Sequence, residues 1–251
     1  SMSADSLASS TFSLWLASLP ADWQETWESV QAAWGPMLDG LRVTAGLLAG
    51  SALLGTALAL ALAVATAMGP RPIAAAARLY GALVRGTPLL VQLFLAYFGL
   101  GQFEAVRQSS LWGLLEDATW CGLAVLSLNL AAYMAQDLRA GLLAVPLGER
   151  QAAMALGFTP WQSMRCIVLP RALRIALPAL GNQAIAQLKA TALVSTITVL
   201  DLTGAARQLS VASYTTDALL VAGALYATLT LGIVACVRWL ERRFTHRSLE
   251  K

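Results

Sequence analysis

Charge is scarce in this sequence: 12% of its 251 residues are Asp, Glu, Lys or Arg, where an ordinary soluble domain carries roughly a quarter. Mean hydropathy is correspondingly high at +0.63, and a chain of this make-up belongs in a bilayer. Histidine is scarcer still, with His246 alone, and the three cysteines, Cys121, Cys166 and Cys236, form no CxxC pair. Both shortages argue against a metal site and a disulfide framework. A membrane-embedded enzyme would want clustered carboxylates, a His pair or a nucleophile near the interface, and a single histidine placed in the tail does not supply that. No stretch reads GxxxxGK[ST], so a phosphate-cradling loop is missing and any ATP-driven step needs a separate chain.

What is present is a series of long charge-free runs. The first lies between Arg42 and Arg71, and others run over 86–103, 118–136 and 218–237, each near the length of about 20 residues that a helical crossing requires. Another, over 175–200, is as long but carries Lys189 near its middle, so that charge needs a partner or a water-filled neighbour. Five crossings are therefore expected. Gly46, Gly50 and Gly55 in the first run predict close approach of a neighbouring helix. Five spans without an inverted repeat are too few for a free-standing secondary carrier.

Lys and Arg gather on the cytoplasmic side of membrane proteins. Here Arg71, Arg78 and Arg85 follow the first run, Arg139, Arg150, Arg165, Arg171 and Arg174 follow the third, and Arg238, Arg242, Arg243, Arg247 and Lys251 follow the last. The remaining connections are acidic or mixed, and the leader holds Asp5, Asp22, Glu25, Glu28 and Asp39 with no basic residue before Arg42. The amino terminus is expected outside and the carboxyl terminus in the cytoplasm of a bacterial inner membrane. The net charge of +3 reflects this orientation rather than a nucleic-acid partner. An acidic start also predicts no cleavable signal peptide. Residues 1–40 read as a leader, 41–240 as a transmembrane domain with a long loop at about 146–170, and 241–251 as a tail. Trp23, Trp27, Val30 and Trp34 share one helical face, and Trp15 precedes them; tryptophan prefers the bilayer interface, so the leader is expected to form an interfacial helix.

The loop AVPLGERQAAMALGFTPWQSMRCIVLPRAL is punctuated by Pro146, Gly148, Gly157, Pro160 and Pro170, which predicts two short helices at the membrane face rather than a flexible linker. Its register resembles the signature loop of the permease subunits of binding-protein-dependent ABC importers: EAA, three residues, Gly, nine residues, then I-x-L-P. Gln151, Ala152 and Ala153 take the EAA positions, Gly157 follows, and Ile167, Leu169 and Pro170 complete it, with Gln for Glu as the departure. The runs LVRGTPLLVQLFLAYFGL, AAYMAQDLRAGLLAVPLG and GNQAIAQLKATALVSTITVLDLTGAAR are similar to the polar amino-acid branch of that family. Gln136 stands where that branch commonly has Glu, Ala140 where it has Gly and Ala190 where it has Asp.

The resemblance implies an all-α, polytopic subunit with the type I importer (MetI-like) fold. It also implies a cytoplasmic ABC ATPase dimer that binds ATP and Mg in place of this chain, and a second permease subunit, either a copy or a paralogue. A solute-binding protein and a polar amino acid, or a related solute such as an opine, complete the set. Gln151, Ala152, Ala153, Leu156 and Gly157, with Ile167, Leu169 and Pro170, would couple the chain to the ATPase. For the solute path, an intramembrane charge singles out Lys189. Gln187, Thr191 and Ser195 recur at i, i+4 and i+8 and so share a stripe expected to face a cavity. Gln92 and Tyr97 are the candidates in the second span.

Overall fold

A computed structural model describes residues 21–110 and 112–245, and the regular structure among them is helical. Helix α1 covers Ala21–Met68, α2 Arg71–Gly86 and α3 Leu89–Gln102. Two short turns follow, α4 at Glu104–Arg107 and α5 at Trp112–Leu115. Next come α6 at Ala118–Ala144, α7 at Leu147–Ala155, α8 at Pro160–Ile197, α9 at Leu202–Ser213 and α10 at Asp217–Thr245. Trp34–Met68 of α1, α6, and Asp217–Arg243 of α10 are long and apolar enough to cross a membrane; the bent pairs α2 with α3 and α8 with α9 bring the total to five if each counts as one span.

The leader differs from expectation. A separate interfacial helix is predicted ahead of the first span, yet Ala21–Met68 is one unbroken helix. Asp39 and Arg42, which mark the expected boundary, lie three residues apart and pair at 2.5 Å, so the two charges satisfy each other on the helix surface without ending it. Trp15 lies outside the described residues, as do the side chains of Trp23 and Trp27.

The second span differs too. In place of one straight crossing over 86–103, α2 and α3 meet at 104°, and α3 alone rises only about 21 Å at 1.5 Å per residue. Pro88 pushes its predecessor out of the helical region, and Thr87 (ψ 141) and Pro88 (ψ 136) are both extended, forming an elbow. Arg78 and Arg85 consequently belong to a helix packed on α1 and α6 rather than to a free loop.

Helices α1, α6 and α8 form the centre of the bundle. Ala59, Ala63, Leu130, Met134, Leu138 and Ala172 are buried together at one level, and Leu47, Leu93, Leu126, Val194 and Ile197 at another. Small residues set the spacing. A Cβ on Gly50 would lie 2.9 Å from Leu123, and one on Gly55 would lie 3.0 Å from the Ser127 carbonyl. Gly46 has nothing within 4 Å, so two of the three glycines expected at a close contact are found there.

Pro170 was expected to end a short helix before the fourth span. Instead Pro160–Ile197 is a continuous helical run, with a π-helical segment at Met164–Val168 directly before Leu169 and Pro170. A proline ring clashes with the carbonyl four residues earlier, here that of Cys166, and the wider π turn accommodates it. Among the described residues one short helix, α7, thus stands between α6 and α8.

Candidate functional site

Helix α7 is delimited by residues that the sequence makes readable. At its end Gly157 is left-handed (φ +78), its N–H donates to Met154 O at 3.0 Å, and the Phe158 N–H donates to Ala153 O at 3.1 Å. Those two bonds make a Schellman cap. Thr159 then opens α8 through a capping box with Gln162, and Pro160 occupies the first turn. No neighbour lies within 4 Å of a Cβ built on Gly157, so its backbone conformation, not crowding inside this subunit, requires glycine.

Two arginines fasten α7 to the bundle. Arg150 donates from Nη2 to the Leu142 carbonyl near the end of α6, where the helix dipole favours a cation. Arg171 on α8 places Nε 3.6 Å from Glu149 Oε1, an ion pair too long for a hydrogen bond. Gln151, Ala152 and Gly157 are exposed, and so are Met154 at 60% and Leu156 at 77%. Ala153 is 1% exposed: it faces the bundle, which corrects the expectation that it forms part of an outward contact. Val168 is buried, Ile167 and Leu169 are half-buried and Pro170 is exposed, so these residues join the loop to α8.

The expected polar stripe on α8 divides. Gln187 is 3% exposed and donates from Nε2 to Ser51 Oγ at 2.8 Å and to Leu126 O at 3.3 Å. Thr191 is fully buried and its hydroxyl donates to Leu188 O. Both are buried in the bundle rather than lining the cavity that Ser195 reaches, as a buried amide or hydroxyl is retained where it can bond across or along helices. Ser195 is the member that reaches a cavity, of about 340 Å³, which it lines with Thr198, Arg207 and Gln208. Thr198 has φ +71, a genuine outlier for a β-branched residue, and sequence reasoning gave no sign of it or of Arg207.

Lys189 points the other way. It is exposed, and its side chain makes no hydrogen bond or ion pair among the described residues. Asn182 and Ala186 are exposed with it, at the i, i+4 and i+7 spacing of one helical face. Six residues before Lys189, Gln183 Nε2 donates to Asp137 of α6 at 2.9 Å. Because α6 continues to Ala144, Asp137 lies inside a long apolar helix, not beyond the end of a span as the charge-free run suggests.

Gln92 ties the elbow together. Its Nε2 lies 2.7 Å from Val84 O and 2.8 Å from Thr87 Oγ1, and its Oε1 accepts from Asn129 Nδ2 at 3.0 Å. Tyr97 is half-buried, edge-on to Phe98 with ring centroids 5.0 Å apart. At the opposite end of the bundle from α7, Asp201 is fully buried and caps α9 through Gly204 N at 2.8 Å. It also accepts from the Tyr226 hydroxyl at 3.2 Å, while the Leu202 N–H donates to Thr44 Oγ1 at 3.0 Å. Helices α1, α9 and α10 are thereby locked at that end.

Comparison with known proteins gives this arrangement a setting. The family described as binding-protein-dependent transport system inner membrane component matches residues 32–246. The chain belongs to that family. Relatives of this permease include the octopine transport system permease protein OccM of Rhizobium radiobacter, 40% identical over 89% of this chain and 90% of that protein. The histidine/lysine/arginine/ornithine transport system permease protein HisM of Salmonella typhimurium is 37% identical over 88% and 95%. Among solved structures, a chain of an amino acid ABC transporter has a TM-score of 0.73 at 35% identity, covering 83% of this chain and 94% of that one. A chain of the methionine transporter MetNI in an inward-facing form has a TM-score of 0.71 at 17% identity, which shows that the fold is shared. The all-α, MetI-like architecture expected from the sequence is thus the one observed, and the chain is a membrane component of an ABC importer.

Proposed function

We propose that this permease moves polar amino acids, delivered by a solute-binding protein, across the bacterial inner membrane, driven by a cytoplasmic ATPase dimer that docks on α7. The observation that carries the reading is the exposed face of α7, with Met154 at 60% and Leu156 at 77% exposed, on a helix pinned to α6 and α8 through Arg150 and Glu149. A rigid projection of this kind converts a partner's motion into rocking of the bundle. Gln151, Ala152, Leu156 and Gly157 form the contact. ATP and Mg belong to the partner, and the basic segments around Arg150 and Arg242 support a reading with α7 and the carboxyl terminus in the cytoplasm and the amino terminus outside.

The stripe Asn182, Ala186 and Lys189 faces a second permease subunit, a copy or a paralogue, across the solute path. An exposed cation inside a span attracts a carboxylate, and a zwitterion leaving water needs both ends met. Selectivity rests mainly with the binding protein. Transport of octopine and nopaline by relatives supports a second reading, in which the solute is an amino-acid derivative with an added carboxylate. The test is ATP-dependent uptake by the full complex in liposomes, comparing labelled arginine, histidine, glutamine and octopine. Uptake of one of the amino acids is expected; uptake of octopine alone would select the second reading, and uptake of none, with ATPase and binding protein present, would overturn both.

A further inference from the structure

We propose that the cavity between α1, α2 and α6, at the end of the bundle that carries α7, is an oxyanion site, occupied by a lipid phosphate or by a solute carboxylate. It measures about 240 Å³ and is lined by Arg78 and Arg85 of α2, Gln136 and Arg139 of α6 and Thr66 of α1, with alanines, Leu62 and Gly81 completing the wall. Arg78 and Arg85 are seven residues apart, on one face of α2. Arg85 donates from Nε to Gly81 O at 3.0 Å, which draws its side chain back toward Arg78. Arg78 and Arg139 make no hydrogen bond or ion pair among the described residues.

Three guanidinium groups around one cavity repel each other unless an anion sits between them. No acid lines it. Asp137, next to Gln136, bonds to Gln183 instead, and Glu149 pairs with Arg171. Gln136 lines the cavity beside the arginines and is neutral, so it brings no charge to offset the cluster from within. Guanidinium groups match the oxygens of phosphate and carboxylate with paired hydrogen bonds, and basic pockets between membrane helices near the cytoplasmic surface hold anionic headgroups. The apolar part of the wall leaves room for the stem of either ligand. The inference rests on the chain working as a membrane permease, not on the identity of its solute.

The test uses the complete importer purified in detergent. Its thermal unfolding midpoint is followed on addition of phosphatidylglycerol, phosphatidylcholine or octopine, in wild type, in R78Q/R139Q and in Q136E, with basal ATP hydrolysis recorded in the same samples. Wild type is expected to gain several degrees with phosphatidylglycerol or with octopine, beyond any gain with phosphatidylcholine, and the responding ligand identifies the source of the oxyanion. Both variants should lose most of that gain. Q136E keeps every arginine and supplies an internal counter-charge, so it stands as the decisive variant should R78Q/R139Q fail to fold. No selective gain in wild type, or equal gains in wild type and Q136E, would overturn the proposal; loss of ATP hydrolysis in wild type would instead count against the importer reading.

Discussion

Gln187 of α8 and Ser51 of α1 are joined by a 2.8 Å hydrogen bond, although 136 residues separate them. The same amide nitrogen reaches the Leu126 carbonyl of α6 at 3.3 Å, so one side chain registers three helices. A polar residue inside a span is commonly read as part of a solute path. Here burial to 3% exposure fits a role in holding the bundle together, whereas Lys189 two residues later is exposed and is the residue that the proposed function puts on the solute path.

The two residues should therefore separate experimentally. Gln187→Leu removes the donor and leaves the Leu126 carbonyl without this partner, costing about 1–2 kcal/mol. Lys189→Met should leave thermal unfolding unchanged and lower uptake several-fold. Unfolding scans and uptake on both variants decide the matter; a destabilised K189M with a wild-type Q187L would reverse the assignment.

Gly157 offers a second separation, between conformation and contact. With φ +78 and no atom within 4 Å of a built Cβ, Gly157→Ala should cost about 1 kcal/mol through the left-handed backbone alone, and Gly157→Asn less. Gly157→Trp should fold about as well as Gly157→Ala yet fail to co-purify with the ATPase. Co-purification of the Trp variant at wild-type yield would remove Gly157 from the docking surface.

The loop around α7 was legible because its signals are local. Gly157 and Pro160, read from the sequence as breaks, reappear as a helix cap and a first-turn proline because each acts on backbone within a few residues, and the capping box of Thr159 and Gln162 that joins them is equally local. Three of the five long apolar runs were legible for the same reason, since length and composition suffice. What misled was the use of charge as a boundary marker. Asp39 and Arg42 neutralise each other within α1, Asp137 is satisfied by Gln183, and Arg78 and Arg85 sit on a packed helix, so none of these charges ends a helix. Pro170 misled in the same way, because a π turn absorbs it. The polar stripe on α8 failed because periodicity places residues on a common face without saying which neighbour that face meets.

Close packing between α6 and α8 makes a third prediction. A Cβ on Gly141 would lie 2.6 Å from the Ala172 carbonyl oxygen and 3.0 Å from Ala176 Cβ, and backbone cannot move aside as a side chain can. Gly141→Ala should destabilise by about 1–3 kcal/mol. Gly46→Ala, with open space at its Cβ, should be neutral or slightly stabilising, by up to about 1 kcal/mol, from helix propensity. Equal unfolding midpoints for the two variants would show that α6 and α8 are not in this contact.

The pair formed by Glu149 and Arg171 makes the final prediction. It joins α7 to the first turns of the helix that carries Lys189, at 3.6 Å and with side chains 35% and 41% exposed. An ion pair this accessible contributes at most about 1 kcal/mol to stability, so Glu149→Gln should barely alter unfolding. Its importance is mechanical. Once the pair is broken, α7 remains fixed to α6 through the Arg150 to Leu142 bond but loses its ion pair to α8, and motion of a docked ATPase should reach α6 more fully than α8. Basal ATP hydrolysis should persist in E149Q while its stimulation by loaded binding protein, and uptake with it, fall several-fold. The exchange E149R/R171E restores the attraction with the charges reversed and should recover much of the loss, whereas R171E alone places two acids together and should be worse than E149Q. If the exchange variant couples no better than R171E, the tie between α7 and α8 is carried by packing around Met164 and Val168, and the ion pair has no part in it.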